Sequence, residues 1–319
     1  MSNELLGSEA DYFDTLIKNR TKHGIIPLTA DKQNATFYEP LRESVYDENL
    51  HPHNELNDAK MTDVFAEPHN SKAIDYLVNC PEGNILDVCC GPGWLSLELA
   101  RHGRNLKSFD ISNSALEIAK QFLEHNKNSP NFGSIDYNLA DISTVNLEEL
   151  NLSGVVGYSA FHHLADPEEF LDRVYDVLPK DGIVVTFDDL ESGRVEIFFR
   201  HLIKLLLPIY EYTLLEKLKF IFQIIMGKRK PNEMLESPME IEADKHGDAA
   251  ESIRNSLTKK FTPIYDKEFS AFSVFVCLSI KGPGWFRYPT ARIINFLDKV
   301  LVKVGICKGS FRMIISKKP

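Results

Sequence analysis

The chain has 319 residues, 43% of them apolar, 26% charged and 10% aromatic; this is globular composition on a length that suits one large domain or a domain with an elaborated cap, and it excludes disordered, collagen-like and small disulfide-held chains. With 46 acidic against 36 basic residues the formal net charge is −10, which argues against nucleic acid as a partner, because tracking a phosphate backbone needs a basic face. The charge is uneven: residues 1–193 carry 14 Lys/Arg and 33 Asp/Glu (net −19), whereas residues 194–319 carry 22 and 13 (net +9), an asymmetry that anticipates a directional partner.

The first residues, Met1-Ser2-Asn3-Glu4-Leu5-Leu6-Gly7-Ser8-Glu9, lack the basic start and apolar run of a secretory leader, and no stretch reaches the roughly 20 apolar residues that span a bilayer. A cytoplasmic protein is expected. Residues 1–80 read as an N-terminal helical arm, with helical patterns at 9–19 and 57–79 around a polar stretch at 43–55. No metal site is expected there, because His51, His53 and His69 show no i, i+4 pairing.

From residue 81 to 190 strand-like apolar runs near 84–89, 106–110, 134–139, 154–158 and 182–187 alternate with helical patterns at Trp94–Arg101, Ser112–His125 and Glu168–Leu178. Ser112 and Asp166-Pro167 supply helix-start chemistry. Such alternation is the sequence form of a three-layer, doubly wound, mostly parallel sheet. Residues 191–262 form a helical insertion, its stretches at 195–207 and 211–226 split by Pro208. Residues 263–319 complete a seven-stranded sheet, with strands expected at 268–279 and 311–316 around a helix near 290–304. The five cysteines, Cys80, Cys89, Cys90, Cys277 and Cys307, show no CxxC spacing and read as reduced thiols.

The most informative stretch is Asn84-Ile85-Leu86-Asp87-Val88-Cys89-Cys90-Gly91-Pro92-Gly93-Trp94-Leu95-Ser96: a buried strand ending in an acid, a glycine turn, then a helix. Such a turn lets backbone approach a ligand closely. It is not a Walker loop, since no Gly-Lys-Ser/Thr follows, and it lacks the third glycine of a dinucleotide fingerprint. Asp110 ends the next strand 19 residues after Gly91, where a carboxylate reaches ribose hydroxyls, and an acid ends the third strand at Asp141. A plainer reading makes the glycines a tight turn and Asp110 and Asp141 helix caps.

Together with Phe109-Asp110-Ile111-Ser112, Leu139-Ala140-Asp141-Ile142 and Ser159-Ala160-Phe161-His162-His163-Leu164-Ala165-Asp166-Pro167, this stretch resembles the class I S-adenosylmethionine-dependent methyltransferases, most closely over residues 80–190. The family's first motif reads acid-x-Gly-x-Gly-x-Gly, and Cys89 here replaces the first glycine. The resemblance implies that S-adenosyl-L-methionine is the cofactor, with Asp87, Cys89, Gly91 and Gly93 around its methionine end. It further implies Asp110 on the ribose, Ile111, Asp141 and Ile142 near the adenine, and Ser159 in the same set. Cysteine is small enough for the first glycine position if φ stays negative, and reduced or altered cofactor contact, not loss, is expected from it.

In open α/β sheets ligands bind beyond the carboxyl ends of the strands. His162 and His163 follow the fourth strand and Asp188-Asp189 end the fifth, so His162, His163 and Asp188 are the candidates for acceptor chemistry. A hydroxyl acceptor needs its proton removed, which suits histidine with a carboxylate to orient it; the alternative is that the His-His pair only packs its loop. The expected activity is methyl transfer to a small or lipophilic organic acceptor, a hydroxyl in the first instance. The rivals are non-methyl chemistry in the same pocket and a non-catalytic, membrane-associated module. Residues 194–230 combine apolar helical faces with eight basic residues against three acids. They are expected to be a lid with those faces toward the sheet; the alternatives are a foot peripheral at an anionic membrane, with Lys217 and Lys219 among its bases, and a contact between copies.

Overall fold

The computed structural model describes residues 67–319 except 129, 165, 191, 210–212, 227–248 and 278, together with Ala10, Asp11, Asp14, Thr15, Met61 and Val64. Most of the helical pattern at 9–19, the polar stretch at 43–55 with His51 and His53, and the bases 228–230 lie outside the described residues.

The described chain runs α1 (Glu67–Val78), β1 (Asn84–Val88), α2 (Trp94–Arg101), β2 (Asn105–Asp110), α3 (Asn113–Asn126), β3 (Ile135–Leu139), β4 (Leu152–Tyr158), α4 (Pro167–Val177) and β5 (Ile183–Asp189). It continues with α5 (Arg194–Leu206), α6 (Leu214–Ile225), α7 (Ala249–Lys260), β6 (Thr262–Phe269), α8 (Ser273–Cys277), α9 (Gly284–Lys303) and β7 (Phe311–Lys317). The strands form one sheet in the order β3-β2-β1-β4-β5-β7-β6, parallel throughout except for β7, which is antiparallel to both its neighbours. The seven-stranded, doubly wound expectation is what the molecule shows.

Strand residues alternate between the two faces, so neighbours in sequence enter different cores. Ile85, Val156, Val185 and Ile315 pack with Leu77, Leu97 and Phe122 on one side, and Leu86, Val155, Val184 and Ile314 pack with Phe170, Val174 and Leu257 on the other. Helices on both faces explain why β1, β4 and β5 carry apolar residues next to one another, as at Ile85-Leu86, Val155-Val156 and Ile183-Val184-Val185. Two helix starts follow their residues: Ser112 accepts from Ala115 N, and Asp166 from Glu169 N with Pro167 next in line.

The sixth strand lies earlier than expected, at Thr262–Phe269, and the apolar run expected as strand to 279 instead contains α8. β6 is an outer edge whose Thr262, Pro263 and Ile264 are exposed, so it lacks the apolar density that marks a buried strand. The following run turns helical because buried Asp298, on α9, accepts from the backbone N–H groups of Ala271, Phe272 and Ser273 at 3.1, 2.8 and 2.6 Å. Those donors are the orphans of a helix start.

The insertion also departs from the lid expectation. α5 buries Glu196, Arg200 and Lys204, while Val195, Phe198, Leu202 and Leu206 are exposed; Leu214, Leu215 and Leu218 of α6 are exposed too. Phe199 and Ile203 pack on a satellite core built around Phe272, Val276 and Ile280. The charged groups go inward because they find partners there. Glu196 Oε1 accepts from Lys308 N at 2.5 Å, Arg200 Nη2 donates to Ser192 Oγ at 2.9 Å and lies over the Phe275 ring, and buried Lys217 donates to the carbonyls of Lys204 and Leu207. Lys217 thus closes the carbonyl end of α5 and is not presented to solvent.

Candidate functional site

β1 lies between β2 and β4, and the chain leaves it first toward β2 and β3 and later toward β4 and β5. That reversal opens a crevice at the carboxyl ends of β1 and β4. The β1 end is acidic and closed: Asp87 is 2% exposed, its Oδ2 accepts from Ser96 Oγ at 2.5 Å, and Ser96 Oγ lies 2.8 Å from Ser108 Oγ. Burial raises the Asp87 pKa from 3.8 to about 7, the Ser96 hydrogen bond opposing it and the Asp110 charge adding to it.

A stability prediction follows from that shift. Between about pH 4 and pH 7 folded Asp87 keeps a proton that the unfolded chain has released, so its contribution to stability falls as pH climbs through that window and is flat above it. Asp87→Asn is therefore expected to gain stability over the parent at pH 8 and to gain less at pH 5. Denaturant midpoints at the two pH values test this; equal differences would be inconsistent with a buried, proton-retaining Asp87.

The loop after β1 contains three positive-φ residues, Cys89 at 51°, Gly91 at 52° and Gly93 at 77°. The turn is tied by Cys90 N donating to Phe109 O at 3.0 Å and Gly93 N to Cys90 O at 2.9 Å. A Cβ on Gly93 would overlap the Tyr137 hydroxyl, whereas a Cβ on Gly91 would meet nothing within 4 Å. Gly91 therefore answers to backbone conformation and faces open space.

Cys89 does not keep the negative φ expected of it. Cys89 instead places a side chain in the left-handed region, at a cost of roughly 1–2 kcal/mol. Cys89→Gly is expected to stabilise the fold by about 0.5–1 kcal/mol once the added freedom of the unfolded chain is deducted. Thermal or urea unfolding measures this, and a loss of stability would mean that the thiol makes a contact worth more than the strain.

Asp110, at the end of β2, holds that loop. Its Oδ2 accepts from Gly91 N at 2.7 Å and its Oδ1 from Ser112 N at 2.8 Å. Burial pushes its pKa up, against these backbone hydrogen bonds and the nearby His163. Ile111 is half-buried beside it. Asp14, in helical backbone, accepts from Ser112 Oγ at 2.6 Å and Ser114 N at 3.0 Å, bringing the N-terminal segment to the start of α3. Asp141 caps the short 3-10 turn Ile142–Thr144 by accepting from Ser143 N at 2.9 Å, and Ile142 is buried in the core. Its carboxylate thus has the capping role that the plainer reading gave it.

On the other side of the crevice Ser159 has φ 49° and donates its N–H to Phe187 O at 2.6 Å. His162 and His163 occupy the 3-10 turn Phe161–His163, their rings 4.1 Å apart. His162 Nδ1 lies 3.1 Å from Asp188 Oδ1, both side chains largely buried. The other Asp188 oxygen is buried with no hydrogen-bond partner among the described residues. Asp189 is also raised in pKa by burial, with both histidines lowering it, Asp188 raising it and a Ser159 hydrogen bond lowering it. The edge-on stack of Trp94 on Tyr158 and the face stack of Tyr158 on Phe187 run beneath these strand ends.

The expected site residues Asp87, Cys89, Gly91, Gly93, Asp110, Ser159, His162, His163 and Asp188 thus lie at the carboxyl ends of four adjacent strands. Asp14, Ser108, Tyr137 and Asp189 were not singled out for this site. No sequence signal ties Asp14 to α3 across about a hundred residues; Asp189, beside Asp188 at a strand end, did carry one.

Residues 86–186 match the family model described as a methyltransferase domain. That stretch, from within β1 to within β5, is similar to methyltransferase domains. The methyltransferase domain is 27% identical over 115 residues to a protein of Coxiella burnetii named ubiquinone biosynthesis O-methyltransferase, covering 36% of this chain and 47% of that one. It is 32% identical over 124 residues to an uncharacterized methyltransferase of Mycobacterium tuberculosis, covering 38% and 59%. The chain thus spans about half the length of the curated relatives it matches. In fold it is similar to the geranyl diphosphate C-methyltransferase of Streptomyces coelicolor A3(2), with a TM-score of 0.50 at 11% identity over the whole of both chains.

Proposed function

We propose that this methyltransferase moves the methyl group of S-adenosyl-L-methionine to the oxygen of a small, lipophilic organic acceptor, with His162 taking the acceptor's proton. The observation that carries the reading is the buried pair of His162 Nδ1 and Asp188 Oδ1, 3.1 Å apart, at the strand ends. With the carboxylate accepting from Nδ1–H, the basic lone pair of the ring is on Nε2, the nitrogen that would take the acceptor's proton. The name of the Coxiella relative, an O-methyltransferase, agrees with an oxygen acceptor.

The residues present fit the cofactor. The loop's positive-φ residues keep side chains away from the open space at Gly91, and the Asp110 oxygens, each with one backbone donor, retain lone pairs for ribose hydroxyls. Asp87 would face the methionine end, and Ile111 with Ser159 would complete the walls. Bound S-adenosylmethionine supplies an electrophilic methyl group on sulfur. The protein's share is to position the acceptor and to take up a proton, and positioning is the larger part of a direct displacement.

Incubation with methyl-labelled cofactor and a panel of lipophilic phenols and alcohols tests the reading, the expected result being label in an ether product. Tight binding of S-adenosylhomocysteine without any transfer would replace it with non-methyl chemistry, and absence of binding would make the domain non-catalytic.

A further inference from the structure

Three helices outside the site share one inversion: they bury polar residues and expose apolar ones. In α9 the buried set includes Arg287, Asn295 and Asp298, while Trp285, Ile293, Phe296, Leu297, Val300 and the following Val304 are exposed. From Ile293 to Val304 a spacing of three and four residues makes one stripe along the helix, and Trp285 lies eight residues before Ile293. α5 is inverted in the same way, and among the described side chains of α6 Lys217 is buried while Leu214, Leu215, Leu218 and Phe222 are exposed.

The two helical hairpins are joined at their bends. Ile209, between α5 and α6, forms an antiparallel bridge with Ile280, and Lys281 N donates to Pro208 O at 2.8 Å. The junction brings together the neighbourhoods of Leu206, 73% exposed, and Trp285, 79% exposed. Both bends thus lie next to exposed apolar side chains, more of them than the scattered few that a monomer in water ordinarily shows.

Along α9 the charge around the stripe has one sign, while the described part of α6 adds exposed Glu216 and Lys219. From Lys281 to Lys308 the exposed charged residues are Lys281, Arg292, Lys299, Lys303 and Lys308, and the single acid of that stretch, Asp298, is buried. A second copy meeting this face about a two-fold axis would set base against base. Anionic headgroups complement it, and a stripe of Trp, Phe and Leu flanked by Lys and Arg is the composition of a helix that lies in a bilayer interface. Among the described residues no helix is long and apolar enough to cross a membrane, which leaves attachment from one side.

We infer that the face formed by α9 and the α5–α6 hairpin seats the protein on an anionic lipid surface, the apolar stripe entering the headgroup boundary and the five bases meeting phosphate. This rests on none of the methyl-transfer chemistry, and its test reads no activity.

The chain contains two tryptophans, Trp94, buried, and Trp285, exposed, so a change in emission on binding reports Trp285. The full chain is mixed with vesicles of phosphatidylcholine alone or with roughly one third phosphatidylglycerol. The expected result is a blue shift and co-sedimentation with the anionic vesicles only, weakened by salt as headgroup attraction is screened. The shift should disappear in Trp285→Phe while sedimentation persists. The combined variant Leu214→Ser, Leu215→Ser and Phe296→Ser, checked by circular dichroism for an intact fold, should lower vesicle partition at least tenfold. No binding to anionic vesicles, or equal partition of this variant and the parent, would overturn the inference. So would a concentration-dependent dimer in sedimentation velocity that Phe296→Ser abolishes, because a second copy would then be the occupant.

Discussion

Replacing His162 by alanine is expected to lower turnover roughly 10²–10⁴-fold, the range of a lost general base, while the affinity for S-adenosylhomocysteine stays nearly unchanged. The two readouts separate because His162 pairs with Asp188, whereas the loop that would hold the cofactor is tied by Asp110. Asp188→Asn should reproduce most of the defect: an amide can orient the ring with the opposite tautomer, leaving the proton on the nitrogen that must accept one. In the parent, turnover should fall toward acid pH as the imidazole takes up its own proton, and in His162→Ala that dependence should be gone. A defect below threefold in His162→Ala and in His163→Ala alike would make the pair a packing element of its loop, and a flat pH profile in the parent would exclude a histidine base.

The second large effect is expected at Asp110. Asp110→Ala removes the acceptor for Gly91 N and Ser112 N together with the carboxylate proposed to receive the ribose hydroxyls. Lost polar pairings of this kind cost about 1–3 kcal/mol, so S-adenosylhomocysteine should bind roughly tenfold more weakly or worse. The fold should soften as well, because two backbone donors lose their partner. Calorimetric titration with thermal unfolding on the same preparation separates the contributions: lowered affinity with near-parent unfolding assigns the loss to the cofactor. Unchanged affinity with an intact fold would remove Asp110 from the cofactor site.

The parallel core was legible because β1, β4 and β5 are covered on both faces, so their sequences carry adjacent apolar residues such as Ile85-Leu86, Val155-Val156 and Ile183-Val184-Val185. β6 was not, since an edge strand bearing Pro263, Asp266, Lys267 and Glu268 carries little burial signal. The α8 run reads as strand in sequence because its helical start depends on Asp298, some 25 residues later. In the site, strand ends and spacing marked Asp87, Asp110, His162 and Asp188, whereas the sign of φ at Cys89 was misread. Residue type alone argues for negative φ there, and the hydrogen bonds of the turn decide otherwise. For α5 and α6, periodicity identified which side chains share a face. It could not say which face turns inward, because that depends on partners as remote as Lys308 for Glu196.

The position of β7 has a consequence for the order of folding. β7 lies between β5 and β6, so β6 finds no strand partner until residues 311–317 arrive, and β5 keeps a raw edge while residues 190–310 emerge from the ribosome. Closing that long intervening loop costs chain entropy before any of the pairing is gained. Lys318 then seals the junction: its Nζ donates to the carbonyls of Tyr175 and Leu178 at the end of α4, and its backbone pairs with Asp181 and Gly182. The parallel half can assemble early from nearest-neighbour βα units, but the nascent protein stays open to edge-to-edge association until β7 docks. The slow and vulnerable interval of its biogenesis thus lasts until residues 311–317 are made, on the side of the sheet away from the glycine loop.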